Sequence, residues 1–397
     1  MSVFIELMLF ILAGSMCGIL LGLIPGMHPN MIVLLSPLLL GFTALGMEWV
    51  YYITVFIVAL GISNTFSSFI PSTYLGASDD AEMLATHPSH KMLVEGKGHE
   101  AVVLSVTGAL FAILLCLILV PLIYFTVPPA YAFLKGYIWM LLAAMSFFMI
   151  LSEPKWIKRG LAAVCFGLSG IFGLILLNSS FNAATVLFPI LTGFFGIPIL
   201  LSQIKLDVRI PKQTTETNEK TSLSESLFGT IGGVASGFLP GVGSSVMASL
   251  ASKAEGKKFL SAVGAITGAN MLISFLSLWL IGNPRSGTAV AISQIAETSF
   301  PLFLGMIFAA LLATAIAAPV SIGISKMLAT RIHKVNYRKL SVAVILFLGV
   351  MSFAFLGIMG IAILATSTCM GVFAIKAGVH RSVLMGVLIV PAIIFLF

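Results

Sequence analysis

Apolar residues run along this chain in blocks near the roughly 20 residues that carry a helix across a bilayer, with polar residues collected in short segments between them. Such blocks predict helices rather than barrel strands, because a helix pairs every backbone N–H and C=O within its own segment. The blocks follow a plan. A broken hairpin is expected over about 3–45, a spanning helix over about 50–70 and a second interrupted segment over about 71–98, with four further spans after it. The series is expected again over about 225–252, 259–281 and 282–298 and the blocks that follow. The predicted fold is an all-α polytopic membrane protein of about ten full spans plus broken, re-entrant hairpins.

The one sizeable polar stretch, KLDVRIPKQTTETNEKTSLSES (Lys205 to Ser226), is rich in Thr, Ser, Glu and Lys and reads as a flexible connection. It divides the chain almost in half, and the halves match. GSMCGILLGLIPG aligns without gaps on GTIGGVASGFLPG, so that Gly14, Gly18, Gly22, Pro25 and Gly26 fall on Gly229, Gly233, Gly237, Pro240 and Gly241, 215 residues later. NTFSSFIPSTYLG then falls on NMLISFLSLWLIG, Asn64 on Asn270 and Gly76 on Gly282, 206 residues later. The chain is read as a first membrane repeat over 1–203, a cytoplasmic linker over 204–224 and a second membrane repeat over 225–397.

Composition removes the soluble alternative. The 397 residues are 59% hydrophobic and 9% charged, with a mean hydropathy of +1.12, whereas a soluble domain carries about a quarter charged residues. Cys17, Cys116, Cys165 and Cys369 stand singly in apolar segments and are expected to be buried small hydrophobes, with neither metal nor disulfide spacing. The N-terminal run lacks a basic lead and a small-residue cleavage site, and is expected to remain part of the fold. The excess of Lys+Arg over Asp+Glu, 21 against 14, belongs to loops that set topology and requires no nucleic acid.

Those loops give orientation. Basic residues gather at Glu153 to Arg159, in the linker, at Lys253 to Lys258, at Lys326 to Lys339 and at Lys376 to Arg381. Gly46 to Trp49, Val127 to Ala130 and Asn178 to Ala183 carry none. The expectation is a multi-pass protein of the cell membrane, with the N-terminus outside and the linker in the cytoplasm. Each half makes an odd number of net crossings, so the second copy is inverted relative to the first, a recurring design of secondary transporters.

The breaks carry the candidate chemistry. Pro25 and Pro240 stop a helix, and Gly26 and Gly241 let the chain turn. In lipid a broken helix survives only inside protein or beside a watery cavity, and a helix start exposed there suits an anion. His28 and Asn30 after the first break, and Gly243, Ser244 and Ser245 after the second, supply donors or caps. Arg285, after Asn283 and Pro284, suits a substrate carboxylate. Asp79, Asp80 and Glu82 suit a cation or proton, or cap a helix start at the interface. Asn64, Asn270 and Asn283 are candidates for lining a shared cavity or coupling-ion site. No residue is assigned to catalysis or to a resident metal: His28 with the acidic trio is matched by nothing in the second copy, and no nucleophile stands beside it.

GLIPGMHPN, GFLPGVGSS, LIGNPRSGTAVAI and LGASDDAEMLATHPSHKMLVEGKGHEAV together resemble the large membrane subunit of the tripartite tricarboxylate transporters, the TctA family. MHPN stands where the family usually has a Gly-rich ending, and Ser78-Asp79 and Pro284-Arg285 stand where it usually has Pro-Gly; the chain is similar to the short archaeal branch. The resemblance implies secondary uptake of polycarboxylates driven by Na+ or H+, with no other cofactor. It also implies a small membrane subunit and an extracytoplasmic binding protein as partners. The expected function is an ion-coupled carrier of a small organic anion, working by alternating access and not as an enzyme. The alternative is a flippase that grips the head group of a polyprenyl phosphate at the same breaks.

Overall fold

Gly14, Gly18 and Gly22 recur every four residues and so share one face of the first helix, α1 (Ser2–Gly22). In the computed structural model that face lies on α2 (Met47–Ser67), with Gly14 against the carbonyl of Phe56, Gly18 against that of Leu60 and Gly22 against that of Asn64. Residue numbers rise together across the contact, so the two helices are parallel. The structure describes residues 2–25, 41, 46–76, 86–206, 210–217, 221–239, 244, 247–248, 256–297 and 299–396.

After α2 come α3 (Phe69–Tyr74), α4 (Thr86–Val94) and α5 (Gly98–Ile118). Then α6 (Val120–Leu134), with Pro128 and Pro129 inside it, leads to α7 (Ile138–Leu151) and α8 (Trp156–Leu177). A π-helical turn, Thr192–Gly196, joins α9 (Ala183–Leu191) to α10 (Ile197–Leu206). Beyond the linker lie α11 (Leu223–Phe238), α12 (Lys257–Ile281), α13 (Gly287–Ile295), α14 (Phe300–Ala329), α15 (Tyr337–Ala377) and α16 (Gly386–Leu396).

Among the described residues, nine helical stretches are long and apolar enough to cross a membrane. The last, Tyr337–Ala377, has 41 residues, about twice the requirement. It bends at Gly357 (φ 58°, ψ −145°) so sharply that Gly360 lies against the carbonyl of Ser352, and thus it supplies two arms. Large apolar side chains such as Leu346, Val350, Phe353 and Ile358 are exposed on this hairpin, as a face toward lipid requires. The chain is a multi-pass helical membrane protein.

The second glycine series makes the same contacts as the first. From α11, Gly229 meets the α12 carbonyl of Ala262, Gly233 that of Ile266, and Gly237 lies beside Asn270 and Ile273. Ala262, Ile266 and Asn270 stand 206 residues after Phe56, Leu60 and Asn64. The other packings pair off too: α5 lies along α12, and α14 lies along α2. At the α5–α12 contact Gly264 rests on Ser105 and Gly108 on Ser261, backbone against backbone.

Polar contacts fix which helix ends lie together. The Tyr74 hydroxyl donates to the Ser325 carbonyl (3.0 Å), and His99 Nδ1 bonds Ser325 Oγ (3.0 Å). Glu100, beside His99, pairs with Lys257 at 2.7 Å. The end of α3, the start of α5, the start of α12 and the end of α14 therefore share one end of the bundle. It follows that α2–α3 and α12, aligned by their sequences, run in opposite directions.

Two expectations are corrected. The linker is docked rather than free over its described part: Gln213 accepts from Gly98 N–H (2.8 Å) and donates to the Leu93 carbonyl (2.9 Å), and Thr214 N–H donates to the Gly96 carbonyl (2.8 Å). The turn between α4 and α5, with Gly96 at φ 83°, leaves backbone groups that the polar linker satisfies. Among the cysteines, Cys116 and Cys165 are buried, but Cys17 and Cys369 are exposed on helices that face outward, where an apolar thiol suits lipid as well as it suits a core.

Candidate functional site

α1 and α11, the helices that lead into the two Pro-Gly sequences, each end partway along a partner helix. The last amides of α1 make tightened bonds, Leu23 N–H to the carbonyls of Ile19 and Leu20 and Ile24 N–H to that of Leu21, and Pro25 follows half-buried. Leu239, at the end of α11, is extended (φ −85°, ψ 125°), as a residue preceding proline is steered to be. Gly22 is level with Asn64, from which the chain runs ten more residues to Tyr74, about 15 Å of helix. Gly237 is level with Ile273, eight residues short of Ile281, about 12 Å. Both helices thus stop short of the ends of the helices they pack on.

The two partner helices cross at the same depth. Around Gly61, at mid-length of α2–α3, a Cβ would be 3.2 Å from the ring of Phe275, 3.4 Å from Met271 Sδ and 3.5 Å from Thr288. Asn64 lies one turn beyond Gly61 on α2 and is buried. Asn270 precedes Met271 on α12, is half-buried, and accepts from Ser236 Oγ of α11 at 3.0 Å. The fold therefore brings the predicted Asn64 and Asn270 to one crossing, each beside the last turn of the helix that packs on it.

The second interruption of the second half turns back on itself. Gly282, left-handed at φ 65°, ends α12. Ser277 Oγ donates to the Asn283 carbonyl (3.0 Å), Ser274 Oγ bonds Ser286 Oγ (2.9 Å), and the Thr288 hydroxyl reaches Met271 Sδ (3.9 Å). Residues 283–288 thus descend alongside the last turns of α12. Ser286 caps α13, accepting from Ala289 N–H at 3.2 Å, so this helix starts within the bundle at the level of Ser274, four residues from Asn270. In the first half, Gly76 (φ 66°) stands at the matching place, ahead of α4.

Arg285 projects from this descending turn. Its Nη2 donates to the Tyr131 hydroxyl at 3.1 Å, the Asn283 side-chain amide donates to the same oxygen at 3.4 Å, and the guanidinium carbon lies 5.6 Å from the centre of the Tyr131 ring. Arg285 Nε is buried with no partner, and no Asp or Glu among the described residues pairs with this cation. A half-buried guanidinium with an idle donor is chemically able to take a further acceptor, and two oxygens of one anion match the geometry of its fork.

Of the other predicted residues, Ser244 is buried. Gly26, His28, Asn30, Asp79, Asp80, Glu82, Pro240, Gly241, Gly243 and Ser245 lie outside the described residues. Sequence reasoning missed Tyr131, Ser236, Ser274, Ser277 and Ser286. The serines had a faint signal, as hydroxyls in an apolar segment next to a Pro-containing turn; Tyr131, from another helix, had none.

Comparison with known proteins places the chain. Residues 8–386 match the family described as the tripartite tricarboxylate transporter TctA family. An uncharacterised protein of Methanocaldococcus jannaschii is 32% identical over 401 residues, covering 98% of each chain. No solved structure matches.

Proposed function

The chain belongs to the tripartite tricarboxylate transporter TctA family, and from that premise we propose that it is a secondary carrier of a small carboxylate, coupled to Na+ or H+. Arg285 carries this reading: it is a half-buried cation with an unpartnered Nε, on a turn that descends toward the crossing of α2 and α12. In the proposed mechanism the guanidinium binds one carboxylate group. Backbone amides that follow the ends of α1 and α11 are proposed to hold the remainder of the anion, and Asn64 and Asn270 to contribute to the ion site. The two halves are inverted copies, and rocking of one against the other opens the site to each side in turn. The opposed directions of α2–α3 and α12, with their matching glycine contacts, support that arrangement. The N-terminus is proposed outside the cell membrane and the linker inside, with a small membrane subunit and an extracytoplasmic binding protein as partners.

One observation favours the lipid-phosphate reading. An open groove of about 660 Å³ between α10 and the two arms of α15 is lined by Ile197, Ile345, Val350, Phe353, Leu364 and their neighbours, and would accept a hydrocarbon tail. Purified protein in liposomes, loaded with labelled citrate or succinate under Na+ and H+ gradients, tests the first reading. Gradient-dependent uptake that fails in Arg285→Gln supports it. Absence of uptake for every carboxylate, with transbilayer movement of a short polyprenyl phosphate, would replace it with the second.

A further inference from the structure

An arginine receives a carboxylate side-on through Nε and one terminal nitrogen, two parallel donors for two oxygens. Arg285 presents that edge half-used: Nη2 is on the Tyr131 hydroxyl at 3.1 Å, while Nε beside it is buried and idle. The same phenol oxygen takes a second bond from Asn283, and the ring lies under the guanidinium. A neutral hydroxyl therefore occupies the position of one carboxylate oxygen and leaves Nε without an acceptor. Tyr131 belongs to the first half of the chain and Arg285 to the second. Tyr131 also follows Pro128 and Pro129, which remove two helical N–H donors from α6.

We propose that Tyr131 is a placeholder for the substrate: it holds the Arg285 fork in the empty carrier and is displaced when a carboxylate binds. This rests on the reading of Arg285 as the anion-binding residue. Displacement gives specificity of a simple kind. A ligand must offer more than the single neutral acceptor it replaces, which a carboxylate does by using both Nε and Nη2 and a hydroxyl or amide does not. It also couples the halves, because filling the fork releases α6.

The test is citrate and succinate titration of the purified carrier, wild type against Tyr131→Phe, Tyr131→Leu and Arg285→Gln. Phe keeps the ring over the guanidinium and deletes only the competing hydroxyl. Tyr131→Phe is expected to bind both carboxylates about tenfold more tightly, a ratio that corresponds to about 1.4 kcal/mol. The citrate-to-succinate ratio should not change, because the hydroxyl competes equally with either. Tyr131→Leu should tighten binding as well, and Arg285→Gln should lose it. Weaker binding in Tyr131→Phe, or a changed ratio, with Arg285→Gln still inactive, would overturn the placeholder and leave Arg285 as the anion site. Wild-type binding by Arg285→Gln, or no carboxylate binding by the wild type, would overturn the anion site itself and the placeholder with it.

Discussion

Gly233 lies directly on the backbone of Ile266: a Cβ at this position would come within 2.5 Å of the Ile266 carbonyl oxygen and of the Ala269 Cβ. Gly18 holds the same relation to Leu60 in the first half. Between helices in lipid there is little hydrophobic drive, so close backbone approach and the dispersion contacts it permits hold the pair together.

Filling that contact should loosen the fold. Gly233→Leu is expected to lower the thermal unfolding temperature in detergent and to destabilise by about 1–3 kcal/mol, the usual cost of overpacking. Gly323→Leu, whose Cβ would meet nothing within 4 Å, should leave the midpoint nearly unchanged. Equal shifts in both would mean that the α11–α12 contact contributes nothing particular.

The opposed directions of α2 and α12 predict opposite labelling. In a protein whose four cysteines are replaced, Met47→Cys and Lys258→Cys mark the starts of the two helices, both at exposed side chains. A membrane-impermeant maleimide should reach one from outside the membrane and the other only from inside. Labelling of both from one side would remove the inverted arrangement.

Replacing Pro25-Gly26 or Pro240-Gly241 by Ala-Ala restores helix-forming residues where α1 and α11 now stop. Transport should be abolished while membrane insertion, followed by extraction and gel filtration, is unchanged. Normal uptake by both variants would show that the breaks serve only to turn the chain.

The docked linker gives a further check. Gln213→Ala removes the bonds to Gly98 N–H and the Leu93 carbonyl. Trypsin should then cut after Lys212 several-fold faster than in the wild type. No change in cutting rate would mean that Thr214 and its neighbours hold the strap without Gln213.

Equivalent places in the two halves are filled according to their surroundings. Phe10 and Tyr52 stack at 5.1 Å on α1 and α2, and the positions aligned with them, Glu225 and Lys258, form an ion pair at 3.6 Å on α11 and α12. The second pair stands at the linker end of the bundle, among the basic loops, where charges are solvated. Similarly, Glu153 accepts from His380 and Lys158 donates to the Gly378 carbonyl, joining two loops whose charge alone had set them on one side.

By itself the sequence determined what local chemistry decides. Long apolar runs must be helices in a bilayer because their backbone polar groups have no other partner. Glycines every four residues mark the packed faces, and proline marks where α1 and α11 stop. Tertiary structure alone decided the rest, since those contacts join residues far apart in the chain. It turned 283–288 back along α12, set Tyr131 under Arg285, seated Gln213 in the α4–α5 turn and folded α15 in two at Gly357. Hydropathy cannot place these, because a hydrogen bond between distant segments leaves no periodicity in either one.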